Sequence, residues 1–231
     1  QHDLYQSSFI EHPLINMEDF VHLHVHTQYS ILDGQAAVPK LVDKAIKNGM
    51  KGMAVTDHGN MFGIKEFFNY CNKVNDGKPE EEQFKPIFGC EVYCARRSLH
   101  LKENNGIDKS GWHLILLAKN EVGYHNLIKI VSEAWVDGYY HRPRTDHESL
   151  RRHHEGIIAS SACLAGEIPR YISKGQIDEA EQSILWYKEV FGDDFYIELM
   201  RHEVKNPNLR ANRETLLLYT SDAADDLTRV D

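Results

Sequence analysis

The chain has 231 residues, with 26 lysine and arginine side chains against 35 aspartate and glutamate side chains, for a formal net charge of -9. This length suits one large α/β domain or two small ones, and the negative charge excludes a protein that holds nucleic acid mainly through a basic surface. The four cysteines include no Cys-x-x-Cys pair, and we find no secretory leader and no apolar run long enough to span a bilayer. We therefore expect a cytoplasmic protein without membrane contact.

Residues 20–34 read FVHLHVHTQYSILDG and begin as a predicted strand. Alternation along a strand sends His22, His24 and His26 to one face and apolar side chains to the other. Neutral imidazole is the commonest protein ligand of zinc and related metals. Because the carboxylate of Asp33 follows in a loop that can fold back over the strand, this stretch predicts a metal site. A histidine-rich surface strand is the alternative.

The rest of the chain alternates strands and helices. Apolar residues at helical spacing predict helices at 38–46, 64–74, 122–136 and 177–191. Apolar runs predict strands at 50–56, 86–95, 113–118, 156–161 and 195–199. Polar stretches predict exposed loops at 75–83 and 96–111. Repeated strand and helix units with apolar strands predict a parallel sheet covered by helices.

The positions of polar residues help to choose between a closed barrel and an open doubly wound sheet. The histidines of the first two predicted strands and Glu91 on the third lie at or just beyond strand ends, where β/α barrels build their sites. An open sheet usually binds its ligand with a glycine-rich phosphate loop. Neither Gly-x-Gly-x-x-Gly nor Gly-x-x-x-x-Gly-Lys-Ser/Thr occurs in the sequence. The sequence therefore favours the barrel.

Metal-binding side chains recur at predicted strand ends and in the loops that follow. They are His24, His26, Asp33, His58, Glu91, His113 and Cys163. Seven ligands exceed the needs of one ion, so the set predicts a cluster of zinc, manganese or iron ions bridged by carboxylate or hydroxide. A water with a metal-lowered pKa could then attack phosphorus, so we expect phosphoester hydrolysis with Asp33, His58 and Glu91 as catalytic residues.

Each of these residues alone also has a purely structural interpretation. His113, in a strand of leucines, would alone more often be a hydrogen-bonded core histidine, and Cys163 a small buried hydrophobe. Glu91 alone could be a surface acid. Asp57 is either a partner that orients a ligand imidazole or a helix cap. Only their joint placement on successive strands favours the metal site.

Five segments carry a specific family resemblance: residues 20–34, TDHGNMFG at 56–63, KPIFGCEVY at 85–93, HLILLAKNEVGYHNL at 113–127 and GIIASSACLAGEI at 156–168. They resemble the polymerase and histidinol phosphatase (PHP) domain at the amino terminus of the bacterial DNA polymerase III alpha subunit. The resemblance extends from about residue 17 to about residue 212. The segments LLAKN and SACLAGEI are similar to the replicative polymerase rather than to stand-alone phosphatases.

The resemblance implies a distorted, TIM-like β/α barrel of seven strands with a three-metal cluster at its mouth. It implies the same seven ligands and makes His22 a neighbour of the ligands that does not bind metal. In family members with an intact cluster, the domain is a 3′ to 5′ exonuclease that uses divalent metal ions, here zinc or manganese, to proofread the primer 3′ end of DNA. In others it is only a structural support.

At the level of the whole protein, the resemblance implies a DNA-directed DNA polymerase. Its palm carboxylates, which use Mg²⁺, and its contacts with replicase subunits such as the sliding clamp would belong to other domains, so the remainder of the polymerase chain is itself an expected partner. A stand-alone phosphoesterase similar to histidinol phosphatase is the alternative enzyme.

Two departures from the family pattern concern the ends of the sequence. The family's later Asp-x-His pair is not found after Leu199, so we expect a barrel that is incomplete at its C-terminal end. Residues 1–16 are predicted as an extension outside the family, with Met17 as a plausible start, and 213–231 as a tail that resembles translated adapter sequence from 216 onward. A barrel without its last strands exposes two edges, so we expect poor stability of this chain alone.

Overall fold

The computed structural model describes residues 20–103 and 106–199. The predicted extension at 1–16, the tail at 213–231 and the region searched for an Asp-x-His pair all lie outside these residues. Within the described part of the chain, no helix combines the length and the apolar character needed to cross a membrane.

The described residues form a mixed α/β fold. In chain order the elements are α1 (Val38–Lys47), β1 (Gly52–Val55), α2 (Ile64–Asn75), β2 (Lys85–Cys94), β3 (Trp112–Ala118), α3 (Glu121–Val136), β4 (Arg144–Thr145), α4 (His147–Arg152), β5 (Ile157–Ser160), α5 (Glu167–Ser173), α6 (Ile177–Phe191) and β6 (Phe195–Tyr196). The four predicted helices are confirmed as α1, α2, α3 and α6. The predicted strands are confirmed as β1, β2, β3, β5 and a shorter β6, whereas β4, α4 and α5 were not predicted.

The first helix shows how the sequence fixes its own ends. Pro39 lies in the first turn of α1, where its missing N–H is not needed. Gly49 follows the helix with a φ of 79°, a left-handed conformation that glycine adopts without steric cost. The chain then turns directly into β1.

The six strands among the described residues form one sheet in the order β1-β2-β3-β5-β6, with β4 also paired to β2. The prediction of a wholly parallel sheet is wrong, because β3 runs antiparallel to both β2 and β5. Parallel neighbours need a crossover connection, usually a helix. The described part of the loop between β2 and β3 contains no helix, so the chain returns in the opposite direction.

The predicted strand at the start of the histidine stretch is also wrong in part. His22 forms a single bridge with Met53, and the backbone N–H groups of Ala54 and Thr56 donate to the carbonyls of His22 and Val25 at 2.8 and 2.9 Å. The backbone bends between these contacts, and Leu23 is 49% exposed. The segment runs alongside β1, but its side chains do not alternate as they would in a strand.

The two largest hydrophobic cores of the described residues both contact β2, and a smaller third cluster contains Ala54 and Ile115. The first, between α1, β1 and α2, contains Val42 and Phe67. The second lies between the sheet and helices α3, α5 and α6, and contains Leu116 and Leu127. Burying one such side chain contributes about 1.5–3 kcal/mol. Because β2 borders both cores, its side chains are held rigidly where the two meet.

Candidate metal centre

The candidate metal centre is organised around Glu91, which is fully buried on β2. The N–H of Glu91 donates to the carbonyl of Asp57 at 3.1 Å, and Gly59 donates to the carbonyl of Glu91 at 2.8 Å. These bonds extend the pairing of β1 and β2 past the end of β1. They bring His58 beside Glu91, and its Nδ1 contacts Oε2 of the carboxylate.

His113 and Cys163 approach the other oxygen of Glu91. His113 lies on β3, and its Nδ1 is 2.9 Å from Glu91 Oε1. Cys163 lies in the loop after β5, with its Sγ 3.6 Å from His113 Nδ1 and 4.0 Å from Glu91 Oε1. The N–H of His113 donates to the carbonyl of Ala165 at 3.1 Å, which fixes this loop against β3.

His24, His26 and Asp33 complete the group. Nε2 of His24 lies 3.1 Å from Nε2 of His26 and 3.4 Å from Glu91 Oε1. The ring of His26 stacks on that of His58 with their centroids 4.0 Å apart. Oδ2 of Asp33 lies 2.8 Å from His58 Nε2, and its side chain is 61% exposed. All seven residues named as ligands from the sequence therefore lie together, with Asp33 on the solvent side.

His22 lies apart from the other histidines. Its side chain is exposed, and its ring contacts Phe20 with the centroids 4.8 Å apart. The prediction that His22, His24 and His26 share a face is therefore wrong, because the backbone bends after His22.

Sequence reasoning missed Glu198, which contacts the cluster two residues after β6. Its Oε1 lies 2.8 Å from Nδ1 of His24, and its Oε2 accepts a hydrogen bond from Ser160 Oγ at 3.2 Å. The N–H of Glu198 donates to Ser161 Oγ at 2.9 Å. A signal was available, because Glu198 is an acid in the C-terminal part of a predicted strand, as Glu91 is.

Asp57 holds the loop that carries two of the predicted ligands, His26 and Asp33. This buried carboxylate accepts hydrogen bonds from the N–H of Thr27 at 2.7 Å, the hydroxyl of Thr27 at 2.8 Å and the hydroxyl of Ser30 at 2.7 Å. The interpretation of Asp57 as a helix cap is wrong, because α2 begins after Gly63.

Ser30 transmits this anchoring to His26. Its hydroxyl has one proton, which it donates to Asp57, so at 2.9 Å from His26 Nδ1 it acts as an acceptor. His26 therefore carries its own proton on Nδ1 and directs the lone pair of Nε2 into the cluster. This is how an orienting hydrogen bond selects the metal-binding tautomer of a histidine.

The carboxylates change the protonation of two histidines. Burial by itself lowers the pKa of His24, but hydrogen bonds with Glu198 and Glu91 outweigh it and raise the pKa to about 10. Burial likewise opposes protonation of His113, but contacts with Cys163 and Glu91 raise its pKa to about 9. In the absence of metal ions, both imidazoles are therefore protonated at neutral pH and pair with the acidic groups beside them.

The remaining shifts show how crowded the cluster is. Burial favours the neutral form of Glu91, but hydrogen bonds from His113, His24 and His58 hold its pKa well below the usual range. Burial and the neighbouring His58 lower the pKa of His26. One charged carboxylate thus serves several imidazoles that compete for it.

The residues present fit divalent metal ions. Nδ1 of His58 and Oε2 of Glu91 are buried against each other, and neither atom has a further hydrogen-bond partner among the described residues. Three overlapping groups each have ligand atoms within 4.8 Å of one another: His24, His26 and Glu91; His26, Asp33 and His58; and His58, Glu91 and His113. Imidazole nitrogen and carboxylate oxygen are ligands that zinc and manganese accept.

Comparison with known proteins adds an independent observation. The sequence matches the PHP domain family over residues 22–202. DNA polymerase III subunit alpha of Borreliella burgdorferi is 44% identical over 209 residues, which cover 90% of this chain and 17% of that protein. The Treponema pallidum subunit is 43% identical over 184 residues, 79% of this chain and 15% of the relative. The Aquifex aeolicus subunit is 39% identical over 219 residues, 89% of this chain and 18% of the relative.

The chain therefore spans between 15% and 18% of the length of these three relatives. Similarity to solved structures is weaker. A candidate metal-dependent phosphoesterase from Bifidobacterium adolescentis gives a TM-score of 0.48 at 15% identity, with 87% of this chain and 83% of that one covered. A similarity of this size supports no conclusion about function.

Proposed function

The chain belongs to the PHP domain family, and from that premise we propose that its histidine and carboxylate cluster binds divalent metal ions and hydrolyses phosphoester bonds. The observation that supports this proposal is the convergence of imidazoles from separate segments on Glu91, a fully buried carboxylate. A buried carboxylate that several imidazoles must share leaves polar atoms incompletely paired, which is costly unless a cation binds among them.

The proposed ligands are the seven residues predicted from the sequence: His24, His26, Asp33, His58, Glu91, His113 and Cys163. We propose zinc or manganese ions, more than one per chain. Bound ions of this kind lower the pKa of a water molecule and neutralise phosphate oxygens.

Three of these residues have further roles in the proposed reaction. Glu91 anchors the imidazoles from the buried side, whereas Asp33 lies on the exposed side within 2.8 Å of His58 Nε2. Asp33 can therefore accept the proton of the attacking water, and His58 holds Asp33 in position for this transfer. Asp33 then returns this proton to the released oxygen of the substrate as the phosphorus–oxygen bond breaks.

For the substrate we propose the 3′ end of a DNA primer, cleaved in the 3′ to 5′ direction as a proofreading step. This proposal is supported by the relatives, which are DNA polymerase III alpha subunits at 39–44% identity. The chain spans less than a fifth of the length of these relatives. For the longer protein we also propose polymerisation with Mg²⁺ and a cytoplasmic location. We propose that its partners are the rest of a polymerase chain and a sliding clamp.

For the fold we propose a distorted seven-stranded barrel within a PHP domain of residues 17–212. Its support is the contact between the two ends of the sheet. His24 lies in the segment that precedes β1 in the chain and runs alongside it, Glu198 lies just after β6, and their side chains meet at 2.8 Å. A sheet whose first and last elements touch is curved towards closure.

The proposal is tested with the full-length protein and a primer that carries a mismatched 3′ end, in the presence of manganese or zinc. A His24→Ala, His26→Ala double variant should lose the exonuclease by at least about 100-fold and keep any polymerase activity. His22→Ala is the matched control, because this exposed histidine lies outside the cluster. Equal degradation by the wild type and the double variant would overturn the assignment.

Two further measurements, of metal content and of substrate preference, distinguish the proposed exonuclease from its alternatives. If the domain is only a structural support, the wild type should hold no tightly bound metal after dialysis. A small-molecule phosphatase predicts that histidinol phosphate is hydrolysed in preference to the primer.

A further inference from the structure

Backbone strain marks one residue that the proposed reaction has not used. Among the described residues, three amino acids other than glycine have positive φ: Leu32 at 72°, His141 at 62° and Ala162 at 58°. Such conformations cost free energy and are concentrated at functional sites. Leu32 and Ala162 each precede a proposed metal ligand. His141 directly precedes Arg142. By analogy with the other two strained residues, we ask whether Arg142 belongs to the site.

Arg142 lies one aromatic ring away from the metal centre. Its Nη1 donates to the hydroxyl of Tyr93 at 2.6 Å, and its Cζ lies 4.9 Å from the centre of that ring. The other ring neighbours of Tyr93 are His58, stacked at 6.1 Å, and His113, edge-on at 5.2 Å. Arg142 is exposed and makes no ion pair with any acid in the described part of the chain. A free cation thus lies beside a centre rich in carboxylates.

Three exposed aromatic rings contact one another in a group that we call the aromatic corner. Phe62 and Trp135 are 5.9 Å apart, and Trp135 and Tyr139 are stacked at 5.5 Å. They are 61%, 42% and 47% exposed. The indole N–H of Trp135 donates to the carbonyl of Gly59 at 2.8 Å.

Gly59 joins the aromatic corner to the loop that carries Arg142. It directly follows His58 and has a φ of 61°. A Cβ at this position would lie 2.8 Å from Cγ of Pro143 and 3.1 Å from the ring of Tyr93, so only glycine permits this close packing. The corner, Arg142 and the metal centre are therefore held in fixed relative positions.

We propose that Arg142 and the aromatic corner bind the last nucleotides of a single DNA strand, with Arg142 on the phosphate beside the metal centre and the rings on the bases. This inference rests on the proposed phosphoester hydrolysis. Guanidinium groups pair with phosphate oxygens through two hydrogen bonds, and aromatic rings stack on any base without regard to sequence. The chain has a net charge of -9, so an unpaired cation at this position supports an anionic ligand better than it supports an apolar one.

The first experiment measures stacking directly in the full-length protein. A single-stranded oligodeoxynucleotide with 2-aminopurine as its 3′-terminal base is expected to lose fluorescence when that base stacks on a ring. Phe62→Leu should weaken this quenching and raise the concentration for half-maximal quenching about tenfold, whereas Phe62→Tyr should retain it. Phe68→Leu is the matched control, because Phe68 is an exposed phenylalanine on α2 that contacts Phe88.

The second experiment separates the phosphate contact from the base contact. Methyl p-nitrophenyl phosphate offers the phosphodiester without a base. Arg142→Gln should lower kcat/KM for this compound and for the oligonucleotide alike, by about 10- to 100-fold, with partial rescue in Arg142→Lys. Phe62→Leu should lower kcat/KM for the oligonucleotide at least about tenfold more than for the small diester. Arg170→Gln, on the exposed face of α5, is the control for charge.

The outcomes distinguish this inference from the proposed function. Hydrolysis of the small diester with no quenching by the wild type would overturn the inference and leave the function standing. Quenching that is lost in Phe62→Leu, in a protein that hydrolyses neither compound, would support nucleotide binding and contradict the hydrolysis. If Phe62→Leu lowers solubility or thermal stability and leaves quenching unchanged, another part of the protein covers the corner and the inference fails.

Discussion

Arg144 and Glu91 are both fully buried charged side chains, but their surroundings differ. The guanidinium of Arg144 donates to four backbone carbonyls at 2.9–3.0 Å, those of Gly138, Asp108, Leu99 and Leu101. Its donors and these acceptors are paired, so burial leaves little unsatisfied. Around Glu91, by contrast, several imidazoles share one carboxylate, and His58 Nδ1 and Glu91 Oε2 have no hydrogen-bond partner within the described residues apart from each other.

The difference shows how a buried polar group that supports the fold can be told from one that awaits a ligand. A buried network in which each member is paired stabilises its surroundings, whereas a partly satisfied network has a net cost. The Arg144 network ties a long loop and the turn after α3 to β4. Under the proposed function, the Glu91 network is completed when divalent ions bind to it. Four predictions follow from this contrast.

The largest effect is expected from Glu91→Gln. Removing the charge shared by the imidazoles should lower the affinity for zinc or manganese by about 1,000-fold or more. Metal content after dialysis and calorimetric titration measure this change. Glu148→Gln, on the exposed side of α4, is the control. Retention of wild-type affinity in Glu91→Gln would remove Glu91 from the site.

Arg144→Met should act on stability instead. It leaves the four carbonyls without their donor, so the free energy of unfolding should fall by at least about 3 kcal/mol. Urea denaturation with a chelator present measures this loss without any contribution from metal. Arg170→Met should change the same quantity by less than about 0.5 kcal/mol. A normal unfolding midpoint for Arg144→Met would mean that the two buried charges do not differ as described.

Ser30→Ala should also lower the metal affinity of the Glu91 cluster, but by less than Glu91→Gln. It removes the acceptor that keeps the proton of His26 on Nδ1, so metal affinity should fall about 10- to 100-fold. The unfolding free energy of the metal-free chain should fall by only about 1 kcal/mol. Ser132→Ala, an exposed position on α3, controls for the loss of a hydroxyl. Equal affinities in both variants would contradict the tautomer argument.

The smallest effect is a pH dependence of the metal-free chain. The folded-state pKa values of His24 and His113 are raised to about 10 and about 9, above the ordinary value of 6.5. A raised pKa contributes stability that is complete below the unfolded value and is lost as pH rises through the folded one. Stability in chelator should therefore decline from about pH 6.5 to about pH 10.

The same pH series contains its own comparison. Glu198→Gln should reduce the decline, because Glu198 is one of the partners that keep His24 protonated. The hydrogen bonds of Arg144 should hold throughout, because arginine stays charged over this range. A decline of equal slope in the wild type and in Glu198→Gln would show that other groups cause it.

The proximity of two proposed ligands, His58 and Glu91, could be predicted from the sequence, because side chains in the C-terminal parts of neighbouring parallel strands meet at one edge of a sheet. His113 lies at the start of β3 and reaches the same edge because β3 runs antiparallel to β2. The same rule applies to Glu198 but was not applied there. Ser30 could not be found in this way, because its role depends on the direction of a single hydroxyl proton. Sequence spacing contains no information on that direction.

The helices were predicted better than the strand directions. An amphipathic helix shows its apolar face in the spacing of its residues, as α1 and α3 do. A buried strand such as β3 has the same apolar run in either direction, so its antiparallel pairing had no signal in the pattern. The bend after His22 was likewise hidden, because alternating residues in a short segment look like a strand whether or not the backbone stays extended.

The position of Glu91 on β2 links metal binding to the folding of the whole domain. Residues Lys85–Phe88 of this strand pair with β1, and Gly89–Cys94 pair with β3. This ten-residue strand therefore contacts both of the large cores. A ligand that binds only the native state slows every opening that breaks its site. Amide hydrogen exchange should therefore slow together on α1 and on α3 when ions are added, so that the domain opens as a single cooperative unit.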